Sequence, residues 1–207
     1  MKKLVLMLIF TLGISASFAQ TARIQIIHNA ADPAAATVDL YVNASIFQDH
    51  FAFRDATPFV DVPAGVQLSI GVAPGTSTGA GDIIATFDVT LDAGKTYVAV
   101  ANGVLDPMAF AANPDMKSTA FTLFTTDMGQ EAGSSATGVD INVLHGSTDA
   151  PTVDVINRGS GILVNDAAYG DMTGYVTVPA ATYKLDITPG NDNNTIVASY
   201  EADLSGL

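Results

Sequence analysis

The 207-residue chain contains no cysteine and no tryptophan. Without cysteine it forms no disulfide, no zinc–thiolate site and no thiol nucleophile. Basic residues are scarce: eight Lys and Arg stand against 21 Asp and Glu, for a net charge of −13. That balance excludes a sequence-independent grip on nucleic acid, which needs basic patches to displace counterions. It also argues against docking on anionic membranes. Glutamate is nearly absent, with only Glu131 and Glu201 present. Glu suits helix interiors, whereas Asp competes for backbone hydrogen bonds and prefers turns and caps. A chain acidic through Asp is not built for helices.

What the chain does have is 48% hydrophobic residues, 18 Gly and 9 Pro, with only 14% charged residues. It can bury real cores and is not disordered by composition. Abundant Thr, Val and Ile suit strands, so the expected class is all-β. The one sustained apolar run, Leu4 to Ile14, follows Met1-Lys2-Lys3 and is too short for the roughly 20 residues of a membrane span. With small residues at Ser17 and Ala19 it reads as a secretory signal peptide over residues 1–19, cleaved after Ala19. A buried first strand is the competing reading. No other stretch could span a membrane, so the expected location is secreted or at the bacterial cell surface, with no integral membrane segment after cleavage.

The chain repeats itself. Ile24-Gln-Ile-Ile-His28 returns as Ile141-Asn-Val-Leu-His145, and each His is followed four residues on by Asp32 or Asp149. Thr37-Val-Asp39-Leu matches Thr152-Val-Asp154-Val. Phe53-Arg-Asp55-Ala-Thr57 matches Tyr169-Gly-Asp171-Met-Thr173, and Val62-Pro-Ala64 matches Val178-Pro-Ala180. Leu68-Ser-Ile70 and Ala85-Thr-Phe87 return as Leu185-Asp-Ile187 and Ala198-Ser-Tyr200. This order and near-constant offset predict two copies of one module, at 20–128 and 139–207, joined by a Gly/Ser-rich linker at 129–138 that is flexible by composition. The second copy has no counterpart of Lys95–Asn102 or Thr119–Thr126. It is therefore expected to be a module truncated by two strands, in a fragment of a longer protein or a truncated gene product. A missing inner strand forfeits about three buried apolar side chains, or roughly 5–9 kcal/mol. Residues 139–207 should then be marginal alone, with an unpaired edge able to accept a donated strand.

Short alternating runs recur between Gly, Pro, Asn and Asp. Val38, Leu40 and Val42 should face a core while Asp39, Tyr41 and Asn43 face water, and Phe87, Val89 and Leu91 likewise against Asp88, Thr90 and Asp92. Asp92-Ala-Gly94 reads as a tight hairpin, Val62-Pro-Ala-Gly65 as another turn, Pro74–Asp82 as a loop, and Pro107–Ser118 as irregular with a short helical turn. The expected architecture is an immunoglobulin-like antiparallel β-sandwich of seven or eight strands per complete module, in two tandem copies. A closed barrel is the alternative.

The pattern Val143-Leu-His145-x3-Asp149-Ala-Pro151-Thr-Val-Asp154-Val, with Asp171-Met-Thr-Gly-Tyr175 and Val178-Pro179-Ala180, resembles a secreted bacterial module family, domain of unknown function 4397. The likeness covers nearly all of the chain after the leader. It implies extracellular tandem β modules and no activity. The first copy departs from the pattern at Asp32-Pro33-Ala34-Ala35.

Chemistry-bearing candidates are few. Gly75-Thr-Ser77-Thr-Gly79 matches G-x-S-x-G but lacks the strand-to-helix elbow that exposes such a serine. Asn191-Asp-Asn-Asn194 looks calcium-like, yet lacks the Gly and distal Glu of a helix-flanked loop, so it reads as a polar hairpin tip, with a weak surface Ca²⁺ site shared with nearby Asp as the alternative. Tyr41, Tyr169 and Tyr175 read either as a sugar-binding face or as cross-strand packing. The candidate ligand-binding residues are His28, Asp32, His145 and Asp149. One imidazole and one carboxylate are too few for zinc, and no Ser or Cys repeats beside them. The structural alternative has Asp capping the turn while His donates to a backbone carbonyl. No cofactor, metal or catalytic residue is expected. The function expected is non-enzymatic: binding, adhesion or spacing, toward an extracellular protein or glycan. The alternative is an accessory module of a carbohydrate-processing or hydrolytic system that uses the His–Asp site.

Overall fold

The computed structural model describes residues 20–206, so the leader reading over 1–19 lies outside the described residues. The chain is all-β. The first module carries β1 (Thr21–His28), β2 (Thr37–Val42), β3 (Ser45–Ala52), β4 (Val60–Pro63), β5 (Gln67–Pro74), β6 (Ala85–Thr90), β7 (Thr96–Asn102) and β8 (Thr122–Thr126). These form two four-stranded sheets, ordered β4-β1-β7-β8 and β3-β2-β5-β6. Every ladder is antiparallel except β1–β7, which is parallel. The sheets pack face to face over one core. Ala22, Ile24 and Ile26 of β1 and Ala99 of β7 meet Val38, Leu40, Leu68, Ile70 and Val72 of the opposite sheet.

The second module has β9 (Gly138–Ile141), β10 (Val153–Asn157), β11 (Gly161–Ala167), β12 (Val176–Pro179), β13 (Thr182–Pro189) and β14 (Ala198–Asp203). Its sheets are ordered β11-β10-β13-β14 and β12-β9. The first repeats β3-β2-β5-β6 strand for strand, and the second repeats β4-β1. Among the described residues nothing pairs with β9 where β7 pairs with β1. The consequence is visible in the packing. Ala22, Ile24 and Ile26 are buried, whereas their counterparts Val139, Ile141 and Val143 are half-buried. The buried cluster of this module comprises Val155, Val164 and Ala167.

Two local expectations need correction. Asp92–Gly94 is a turn, with Gly94 at φ +74° and Lys95 N–H donating to the Asp92 carbonyl at 3.3 Å, but it does not close a hairpin. It carries the chain from β6 in one sheet to β7 in the other. Alternation also fails on β2: Asp39 and Tyr41 are as buried as Val38 and Leu40. β2 is an inner strand, and its outward face is roofed by the loop after β5. Ser77 from that loop hydrogen-bonds both Asp39 and the Tyr41 hydroxyl. On β6 the alternation holds, with Phe87 and Val89 turned inward and Asp88 and Thr90 exposed. The Pro107–Ala109 stretch is a single 3-10 turn capped by Asp106.

Candidate functional site

Each module folds its repeated motif into the same corner at the end of its first strand. The Ile26 N–H donates to the Thr57 hydroxyl at 2.9 Å, and the Val143 N–H donates to the Thr173 hydroxyl at 2.9 Å. Arg54 N–H donates to the His28 carbonyl and Gly170 N–H to the His145 carbonyl, both residues lying at positive φ. Asp55 accepts from Ala52 N–H at 3.1 Å and Asp171 from Ala168 N–H at 2.9 Å. The repeated Thr and Asp thus close a loop back onto β1 in the first copy and onto the segment just after β9 in the second.

The two histidines point inward. His28 is 1% exposed. Its Nε2 lies 2.7 Å from the Ala35 carbonyl, and its Nδ1 accepts from Ala30 N–H at 3.3 Å. A carbonyl can only accept, so the neutral Nε2–H tautomer is the one this network requires. Burial pushes the His28 pKa down, partly opposed by the Ala35 carbonyl and the nearby Asp55 charge. The ring packs on Phe51 and edge-on to Phe53, with centroids 5.9 and 6.2 Å away. His145, also buried, places Nε2 2.9 Å from the Pro151 carbonyl and meets Tyr169, the counterpart of Phe53, edge-on at 6.3 Å.

The acids of the pair go elsewhere. Asp32 is buried and accepts from Ala34 N–H at 2.9 Å, capping the Pro33–Ala35 turn, and from Leu105 N–H at 2.8 Å. Asp149 is exposed and makes no hydrogen bond with its histidine. Neither copy joins the imidazole to its acid four residues on. Of the three tyrosines, Tyr41 bonds Ser77, Tyr169 bonds Asn102 and Tyr175 accepts from Gln130 N–H, so they share no face. Ser77 donates to Asp39 at 2.6 Å, a carboxylate rather than an imidazole.

Sequence reasoning missed two further features. One is a buried carboxylate beneath the bulged edge strand. Asp39 accepts from His50 N–H at 2.9 Å and Asp154 from Asp166 N–H at 2.6 Å, and both donors sit at positive φ. The repeated Asp39/Asp154 was the available signal, obscured because its parity assigns it to water. Around Asp39, atoms of Asp49 and His50 come within 4.8 Å, an arrangement of metal-ligating types. Both Asp39 oxygens already accept hydrogen bonds there, and His50 pairs with Asp49 at 3.0 Å.

The other is a polar joint between the modules. Asn102, at the end of β7, is 1% exposed. Its side chain accepts from Asn29 at 2.8 Å and donates to the Gly146 carbonyl and the Tyr169 hydroxyl, both at 3.0 Å. A Cβ on Gly146 would lie 2.6 Å from the Asn29 amide, so a side chain there would displace the Asn29–Asn102 pair. Asn113 donates to the carbonyls of Thr148 and Ala150, and Asp115 accepts from Thr152 N–H and Oγ1. Phe124 packs edge-on against Tyr169. The His145–Pro151 corner is therefore held by the 102–115 segment of the first module. The 129–138 segment adds contacts on both sides: Glu131 pairs with Arg23, and Gln130 N–H bonds Tyr175. No sequence signal marked Asn102, since the second copy offers no equivalent for comparison.

Open clefts of about 370 Å³ lie along 130–140 and at the module boundary near Asp115, Asp166 and Gly190. Neither is lined by His28, Asp32, His145 or Asp149. No helix among the described residues is long and apolar enough to cross a membrane. A family model described as Domain of unknown function (DUF4397) matches residues 19–129 and again residues 139–205. No curated protein matches the chain.

Proposed function

The chain belongs to the family described as domain of unknown function DUF4397, and we propose that it serves outside the cytoplasm as a non-enzymatic spacer whose modules are locked end to end. The observation that carries this reading is the Asn102 joint, whose side chain, held by Asn29 of its own module, makes two hydrogen bonds to the second module, at Gly146 and Tyr169. The repeated corners support it as well. Their imidazoles are engaged by backbone carbonyls and their clefts lie elsewhere, which favours a structural use of His28 and His145 over turnover. A negative, charge-sparse surface suits a solvated exported rod. The basic-then-apolar run at 1–19, read as a leader, supports export.

The absence of cysteine makes the test clean. Asp88 on β6 and Glu201 on β14 are exposed. Asp88→Cys and Glu201→Cys take spin labels in the exported chain, and a dipolar distance measurement reads the angle between modules. One narrow distance distribution is expected. A broad distribution, or retention of the chain with its leader in the cytoplasm, overturns the proposal.

A further inference from the structure

The two copies treat their buried carboxylate differently. In the first, Asp39 is fully satisfied: Oδ1 accepts from His50 N–H, and Oδ2 accepts from Ser77 N–H at 3.2 Å and Ser77 Oγ at 2.6 Å. In the second, Asp154 is equally buried, at 1% exposure, and its Oδ1 accepts from Asp166 N–H. Its Oδ2 has no partner, alone among the buried side-chain polar atoms of the described residues. An acceptor removed from water without a donor is costly, more so when it carries charge.

The sequence explains the missing donor. Gly75 N–H bonds the Thr37 carbonyl as Gly190 N–H bonds the Thr152 carbonyl, which aligns Ser77 with Asp192. A serine hydroxyl is thus replaced by a third carboxylate. The Asp192 side chain turns within its own loop, accepting from Asn194 N–H at 3.0 Å and Thr195 Oγ1 at 2.6 Å. Opposite Asp154 on β13 stands Thr188, where the first copy has Ala73. Its hydroxyl is directed to the Asn193 amide oxygen, at 3.4 Å. The module's one arginine, Arg158, is engaged by Asp186. Neither a nearby hydroxyl nor that guanidinium serves Oδ2.

The environment favours a cation instead. In the first copy the matching Oδ2 of Asp39 meets Ser77, and Asp192 of the 190–192 loop holds the position aligned with Ser77. Gly190 and Asn191 of that loop line the boundary cleft together with Asp166 and Asp115. Glycine at 190 lets the Asp166 carboxylate lie against the loop, since a Cβ there would sit 2.8 Å from Asp166 Oδ1. In the first copy the aligned trio, Asp39, Asp49 and His50, is already compact enough to share one ion. In the second it becomes Asp154, Asn165 and Asp166, all oxygen donors. Hard, irregular oxygen sets suit calcium, which accepts six to eight ligands, better than magnesium, which demands octahedral geometry. We propose that the second module binds one Ca²⁺ between Asp154 Oδ2, Asp166 and the 190–193 loop. The first module's equivalent niche is closed by Ser77.

The test titrates CaCl₂, and separately MgCl₂, into the whole chain by calorimetry, with amide NMR alongside. One Ca²⁺ per chain is expected, with half-saturation at roughly 0.1–1 mM, the range of extracellular calcium modules, and weaker Mg²⁺ binding. Amide shifts should concentrate at Asp154, Asp166 and residues 190–194. Asp154→Asn should weaken binding at least about tenfold. Asp192→Ser restores the first module's donor and should do the same in a chain whose remaining amide spectrum is unchanged. The proposal is overturned by no heat at concentrations well above that range. It is equally overturned by binding that both variants leave intact, with shifts spread over many acidic residues, the signature of a counterion atmosphere only.

Discussion

Replacing Asn102 by Ala removes the acceptor for Asn29 and both donors to the second module, from a side chain that is 1% exposed. Each such bond contributes about 1 kcal/mol net, and a buried carbonyl left unpaired costs a further 1–3 kcal/mol. The Gly146 carbonyl, partly buried, is the group at risk. The expected loss is therefore about 3–5 kcal/mol, a large share of the 5–15 kcal/mol of a typical domain. The loss should fall on the coupling between modules. The first module keeps its sandwich core, while the second loses the surface on which its corner rests. Urea unfolding followed by amide NMR at residues of both modules measures this. In the parent chain the second module should unfold together with, or only slightly before, the first. In Asn102→Ala its transition should separate to lower urea, with the first module's midpoint nearly unmoved. A loss below about 1 kcal/mol, the worth of one ordinary hydrogen bond, with no separation of transitions, would refute the joint as an energetic unit.

His28 is held neutral by burial, so its folded pKa lies below that of the unfolded chain. The unfolded state then binds the extra proton, and first-module stability should fall as pH drops below about 6.5, by at most about 1.4 kcal/mol per pH unit for this one group; stability that stays flat from pH 7 to 5 contradicts it. Asp186 is held at about 2, chiefly by the Arg158 guanidinium and then by Ser199. Its contribution is present above about pH 4 and is lost as pH falls through 2, and carboxyl ¹³C titration of Arg158→Met should move its midpoint up toward the ordinary Asp range near 3.9; an unmoved midpoint refutes the pairing. Residues 139–207 produced alone lack both a β7-like neighbour for β9 and the Asn102–Asp115 seat, so they should give no cooperative melt; a sharp one refutes the argument.

The duplication was legible because strand motifs recur in order, and the sheet orders of the two copies agree wherever both exist. Periodicity gave the inward face of β6, where only one sheet side is covered. It misassigned Asp39 and Tyr41 because it cannot see a loop folding over the far side of an inner strand. It also read Asp92–Gly94 as a hairpin, since alternation tells which way side chains face and not which strand lies next door. The corner histidines stood out by repetition, but their partners are backbone carbonyls, which leave no sequence signature. Asn102 was invisible for a related reason: one polar residue at a strand end looks like any other until the neighbouring module is in place.

In both corners the imidazoles, of His28 and His145, act as fixed donors to the Ala35 and Pro151 carbonyls. Long-range ¹H–¹⁵N correlation of the imidazole nitrogens at neutral pH reads this directly. It should show the neutral Nε2–H tautomer alone for His28, and on both rings an Nε2–H proton that exchanges slowly. A mixture of tautomers averaging freely with solvent, or the Nδ1–H form, would mean that these side chains are free for other work and that the corners are not held as described.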